Sequence, residues 1–313
     1  MTNLLEVQIE QVSYLKVVVG VLAKFHNDVT IEFVRDNSSN GLCTDDTSDT
    51  SDQSDDEVEN DFPHKRKKTS ANTQNKKTKM NPLNTGYLKI KATDRSQSLL
   101  TSLKIDLQYF YCKSDSYDIN LNMSQLYKVL KSHPSTDCVL TISVDADNEN
   151  SVTFKFNSPE FSQSTTIKQV EMDKLTITIP SPITFDAMMH IDGTKFRQLC
   201  YGMKNVSNTM HIKVTPDNAI FTCHNLEDNV TQTITFGSGN SLKIMFNDTT
   251  ERNCSAEGTF ELRYLSLLAS CEVLTNNLNI FLKNDFPLAL SVDNPEGRLV
   301  FAVAQVNSTL PST

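Results

Sequence analysis

Residues able to do chemistry are plentiful in this chain, but their spacing does not build a catalytic set. The string GSGNS (237–241) lacks the Lys-Ser/Thr ending and the following helix that let a glycine-rich loop cradle phosphate. Cys223 and His224 form a soft-ligand pair without two further ligands at zinc spacing, and neither Cys-x-x-Cys nor His-x-x-x-His occurs. His26, His64, His133, His190, His211 and His224 show no triad order. The carboxylate pair Asp45–Asp46 lies in a polar stretch that offers no pocket to shift a pKa. The expectation is a protein that is not an enzyme and needs no metal or cofactor. The seven cysteines, such as Cys112 in YFYCK and Cys138 in TDCVLTI, sit mostly in apolar surroundings and read as reduced core thiols.

The clearest charged motif is KRKK (Lys65, Arg66, Lys67, Lys68), followed by Lys76, Lys77 and Lys79. A compact basic run on an exposed loop reads as a nuclear import signal, with a merely solvated charge run as the alternative. It sits in residues 37–82, where nine acids and seven bases mix with Ser, Thr and Asn and almost nothing can fill a core. Such a segment cannot offset its ordering entropy, so it is expected to be disordered. The preceding TDDTSDTSDQSDDE (44–57) sets Ser and Thr beside acids, an acidophilic phosphorylation site by composition.

The elements that must position everything else come from the remaining chain. At 313 residues with 38% apolar content, it holds one large domain or two of ordinary size. A net charge of −9 argues against a generic polyanion binder and leaves room for a local basic patch. The longest apolar run, Val17–Ala23, is far short of the roughly 20 residues of a membrane span. The N-terminal MTNLLEVQIE has acids where a signal peptide needs bases, so a soluble intracellular protein is expected. VTIEFV (29–34) and GYLKIKA (86–92) read as a hairpin carrying residues 37–82 as a 46-residue insertion, since loop entropy grows only logarithmically.

With the insertion set aside, a repeat emerges. Helical patterns occur in VSYLKVVVGVLAKF, NMSQLYKVLKS (Asn122 as N-cap), GTKFRQLCYGM and GTFELRYLSLLASC. From Val12 to Met123 is 111 residues, or 65 without the insertion, and from Gly193 to Phe260 is 67. Alternating segments such as VLTISVDA, SVTFKFN, TQTITFG and LALSVDN fill the spaces between turn residues. The spacing predicts two similar halves, each an antiparallel sheet system with two helices, an α+β arrangement.

Several strings carry a family resemblance: LNMSQLYKVLK (121–131), MDKLTITIPSP (172–182), FELRYLSLL (260–268), NDFPLALSV (284–292) and LVFAVAQV (299–306). In order and spacing the chain resembles the proliferating cell nuclear antigen (PCNA) family of sliding clamps, over nearly all its length outside 37–82 and the last residues. The resemblance implies a clamp domain over 1–168, a connecting segment over 169–183, a second clamp domain over 184–306 and a tail over 307–313. It implies a ring, expected to be a homotrimer, with helices around a hole and sheets outside. Such a ring encircles duplex DNA without sequence choice, is opened by an ATP-dependent clamp loader, and tethers DNA polymerase and other replication or repair proteins. It implies nuclear localisation, or the site of viral DNA replication for a viral member, and no membrane partner.

A clamp must hold phosphate weakly, through modest Lys and Arg on its inner helices. The candidates are Lys16, Lys24, Lys128, Lys131, Lys195, Arg197, Lys204 and Arg263, which would equally suit ordinary solvated helix faces. Tyr201 and Ser270 stand where the family more often has bases. By resemblance, a partner-peptide pocket uses Thr93, Leu100, Ile177, Ile179, Phe185, Pro287, Ala302, Val303 and Ala304. The small residues Thr93 and Ala302 imply a wider or shallower pocket. Thr-rich SQSTTIKQV (162–170) and VTQTITFG (230–237) would be the edges that pair between subunits. Two other readings fit the same residues: a diverged clamp acting in a checkpoint-type hetero-oligomer or as a non-trimeric viral processivity factor, and a transcription or chromatin scaffold using the charged segment.

Overall fold

The computed structural model describes residues 3–36, 85–107, 109–133, 138–172, 183–239, 242–247, 254–274, 276–295 and 297–306. The insertion's Lys65–Lys68 and phosphorylation motif, the connector residues Ile177 and Ile179, and the tail lie outside the described residues.

The first half runs β1 (Asn3–Ile9), α1 (Val12–Leu22), β2 (Asp28–Arg35), β3 (Gly86–Thr93), β4 (Leu99–Leu107), β5 (Tyr109–Cys112), β6 (Ser116–Asn122), α2 (Met123–Ser132), β7 (Val139–Asp145), β8 (Ser151–Asn157) and β9 (Ser162–Lys168). The second runs β10 (Ala187–Asp192), α3 (Gly193–Lys204), β11 (Thr209–Val214), β12 (Asn218–Asn225), β13 (Val230–Gly237), β14 (Leu242–Phe246), β15 (Ala256–Glu261), α4 (Leu262–Leu268), β16 (Asn277–Leu282), β17 (Leu288–Asn294) and β18 (Gly297–Val303). The strands form three antiparallel sheets, ordered β5-β1-β7-β8-β9, β14-β10-β16-β17-β18-β4-β3-β2-β6 and β13-β12-β11-β15. The nine-stranded sheet crosses from one half to the other where β18 pairs with β4.

Local sequence explains the elements. β3 alternates buried and half-buried positions along its length, as a strand covered on one face must. α1 is rich in β-branched residues, yet it buries Val12, Leu15, Val18, Val19 and Leu22 at helical spacing. Its Gly20 admits α2 closely: a Cβ there would lie 2.7 Å from the Tyr127 ring. α2 buries Met123, Leu126 and Leu130, and the Asn122 carboxamide oxygen caps it by accepting from the Gln125 N–H at 3.1 Å. Asp192 caps α3 in the same way, accepting from Lys195 N–H at 2.9 Å.

The hairpin expected around the insertion is present, with Arg35 opposite Gly86 and Asp36 N–H donating to Thr85 C=O at 2.9 Å. One expectation shifts. Phe260 is not in a helix; it lies in β15, opposite Met210. α4 starts at Leu262, so the second helix-to-helix interval is 69 residues from Gly193. The apolar alternation of GTFE belongs to the strand, and the following LRYLSLL turns helically.

Cys112, Cys138, Cys200, Cys223 and Cys271 are buried and lie outside any disulfide. Burial pushes the Cys223 thiol up to about 11 and Cys271 up to about 12, so both stay protonated near neutrality. Among the described residues no helix is long and apolar enough to cross a membrane.

Candidate nucleic-acid and peptide interfaces

The four helices carry Lys16, Lys128, Lys131, Lys195, Arg197, Lys204 and Arg263 and not one Asp or Glu. In a chain with 38 acids and 29 Lys plus Arg, that exclusion is selective. α1 packs on α2 and α3 on α4, so the basic residues fall on two helix pairs, one in each half. Lys16 is half-buried; the other six are exposed. Lys131 extends its ammonium to 6.0 Å from the Tyr127 ring centroid. Arg263 pairs with Glu261 just before α4 and lies 4.5 Å over the Tyr264 ring, so its charge is partly engaged. Lys24, beyond the end of α1, lines a cavity of about 670 Å³ together with Arg263, bringing one base from each half to the same place. The individual bases were readable from helix faces. The missing acids are the stronger signal, since helical faces that only needed solvation would mix both signs.

The nine-stranded sheet sets the geometry of the candidate pocket residues. Cross-strand partners share a face, and one continuous row runs Thr93, Leu100, Ala302, Ala289, Phe281, Met188, Met245 over seven adjacent strands. Thr93, Leu100 and Ala302 are therefore neighbours despite their distance in sequence. Phe185 lies beside the same row, its ring tilted 5.5 Å from the Phe281 ring and edge-on 6.1 Å from the Phe286 ring. Phe185, Met188, Met245, Phe246 and Phe281 line a cavity of about 480 Å³. Pro287 is half-buried just before β17, and Ala304 N–H donates to Ser98 C=O at 2.8 Å at the row's end. Val303 does not join them. One position along β18 from Ala302, it points to the opposite face and is fully buried, as strand alternation requires. Sequence reasoning missed Met188, Met245, Phe281 and Phe286, because cross-strand register is not written in any one segment.

The two Thr-rich strands lie at sheet edges: β9 ends the five-stranded sheet and β13 the four-stranded one. β9 stops at Lys168, and the next residues turn away, with Val170 N–H donating to Asn120 C=O at 3.0 Å.

A polar joint couples the halves. The Asp94 carboxylate, in the β3–β4 turn, accepts hydrogen bonds from Ser96, from the Tyr264 hydroxyl on α4 at 2.5 Å, and from Leu99 N–H at 2.8 Å. Burial alone would raise its pKa; the hydrogen bonds outweigh it and hold it below the usual value. Nearby His26 is 3% exposed, with Nδ1 3.2 Å from Thr93 C=O and Nε2 3.0 Å from the Thr101 hydroxyl. Desolvation pushes its pKa down, against the opposing pull of the Thr93 carbonyl and Asp94. The unfolded chain therefore binds a proton below about pH 6.5 that the folded imidazole resists, and stability falls as pH drops through that range. In urea unfolding at pH 7.5, 6.5 and 5.5, His26→Gln is expected to lose less stability on acidification than the parent. His211, also lowered by burial, keeps the residual slope above zero. Equal slopes in both proteins would contradict the assignment.

Comparison with known proteins adds to this geometry. Residues 76–178 match the family described as Proliferating cell nuclear antigen, N-terminal domain. The chain is 25% identical over 239 residues to a probable DNA polymerase sliding clamp 1 of Paramecium bursaria Chlorella virus 1, covering 71% of this chain and 85% of that protein. It is 24% identical over 235 residues to a probable DNA polymerase sliding clamp of Acanthamoeba polyphaga mimivirus, covering 72% of this chain and 48% of that protein. It is 22% identical over 223 residues to the proliferating cell nuclear antigen of Caenorhabditis elegans, covering 69% and 83%. Antiparallel sheets with two helices in each half are consistent with a two-domain clamp fold, and these matches make the chain PCNA-like.

Proposed function

We propose that this protein is a sliding clamp, a processivity factor that encircles duplex DNA and tethers DNA polymerase to it. The observation that carries the reading is the helix set with seven bases and no acids in a chain of net charge −9. Diffuse positive charge suits phosphate held without base readout, which is what sliding requires. The edge strands β9 and β13 support closure of a ring by strand pairing between copies, as a homotrimer. The apolar row beside Phe185 supports capture of a short partner peptide with aliphatic and aromatic anchors. Opening of the ring would fall to an ATP-dependent loader, and Lys65–Lys68 would direct the chain to the nucleus.

Retention on DNA tests the reading. The chain loaded on nicked circular DNA is expected to stay bound through gel filtration and to leave once the circle is linearised. Native mass measurement is expected to give three copies. Equal loss from circular and linear DNA, with a monomeric mass at micromolar concentration, would sink it.

A further inference from the structure

We propose that the flank of α3 bearing Arg197, Tyr201 and Lys204 is a contact site for unpaired nucleotides. The Tyr201 ring stacks on one exposed base while the two cations take adjoining phosphates. This rests on the reading of the helices as a DNA-facing surface and adds to it a ligand preference that a purely basic helix lacks.

The placement argues for it. Tyr201 is 74% exposed, against 39% for Tyr109 and 45% for Tyr111, so its ring is nearly bare. Residues at i, i+4 and i+7 of a helix fall within about 60° of one another, which puts the ring between the two cations. Phe196, Leu199, Cys200 and Met203 fill the opposite, core side of α3. The next residue, Gly202, would have nothing within 4 Å of an added Cβ, so the surface beside the ring is open to a strand. α3 contains no acid, and the Asp192 that caps it is engaged with the Lys195 amide at the far end.

Charge complementarity commits the occupant to a polyanion, and the ring narrows it further. Bases inside a duplex show their edges, not their faces, so an aromatic ring between cations gains nothing from paired DNA. Unpaired bases expose a π-face to stack on, and removing a stacking aromatic typically costs roughly 5- to 150-fold in affinity per base. A site made only for duplex phosphate would gain more from a third cation at this position.

The test uses the full chain and three probes of equal length at low salt: oligothymidylate, an abasic deoxyribose-phosphate strand, and a duplex. The parent is expected to bind oligothymidylate at least about 5-fold more tightly than the abasic strand. Tyr201→Ala should abolish that difference and leave abasic and duplex binding within about 2-fold, while Tyr201→Phe retains it. Ultraviolet irradiation with 5-iodouracil in the single strand should place the adduct on Tyr201. Circular dichroism of the variants, whose changed side chain is exposed, is expected to match the parent. No preference for bases in the parent, or an equal loss by Tyr201→Ala on all three probes, overturns the stacking site and leaves the DNA-facing reading standing. A parent that binds none of the three overturns both.

Discussion

Replacing Gly297 by Ala lowers the unfolding free energy by about 3 kcal/mol, at the upper end of the usual cost of overpacking. Gly297 opens β18 and sits opposite Ile105 of β4, in the strand pair that joins the halves. A Cβ there would lie 2.4 Å from the Lys104 carbonyl oxygen and 3.2 Å from Ile105 Cα. Those are backbone atoms held in a ladder, so no rotamer change relieves the clash, and the β18–β4 pairing must part. The effect is steric and not conformational, because none of the described glycines has a positive φ. Gly202→Ala provides the contrast: nothing lies within 4 Å and the site is helical, so stability should rise by about 0.5–1 kcal/mol. Urea unfolding followed by circular dichroism reads both. Because the damage falls on the seam, the Gly297→Ala transition should also broaden as the halves lose cooperativity. An unchanged midpoint would mean that the seam contributes little to holding the halves together.

That seam also marks the boundary of what the sequence made legible. Helix faces, the Asn122 cap and the hairpin around residues 37–82 were readable because each depends on periodicity or end chemistry within a few residues. The start of α4 was misplaced by two residues because Phe260 satisfies strand alternation and a helical stripe equally well, and only its pairing with Met210 decides. The candidate pocket was half legible. Leu100 and Ala302 were named, but what makes them one surface is β18 reaching across to β4, a contact separated by some 200 residues of chain. Val303 was misassigned to that surface for the same reason, since the face a strand presents is fixed by its register with neighbours. The resemblance supplied those names; strand order supplies their meaning.

Neutralising Lys128, Lys131, Arg197 and Lys204 together should leave folding and copy number unchanged and strip most of the affinity for duplex DNA. Each phosphate contact removed lowers the slope of log affinity against log salt by roughly 0.9, so four contacts lower it by up to about 3.6. The comparison that gives this force lies on the nine-stranded sheet. There Lys89 pairs with Glu32 at 2.9 Å, Lys104 with Asp106 at 3.2 Å and Arg298 with Asp293 at 3.1 Å. Lys104 and Arg298 stand opposite one another across β4 and β18, and Lys89 continues the row on β3. Bases on that face come matched with acids, and a polyanion approaching it meets both signs. The helices contain no Asp or Glu of their own, and Glu261, just before α4, engages Arg263. A triple Ala variant at Lys89, Lys104 and Arg298 should therefore keep the parent's salt slope while losing as many side-chain charges, less one, as the helix variant. If both variants shift the slope alike, the attraction is a property of overall charge and the helices have no special claim on DNA. If only the helix variant does, the acid-free helices, and not the chain's net charge, set where the duplex lies.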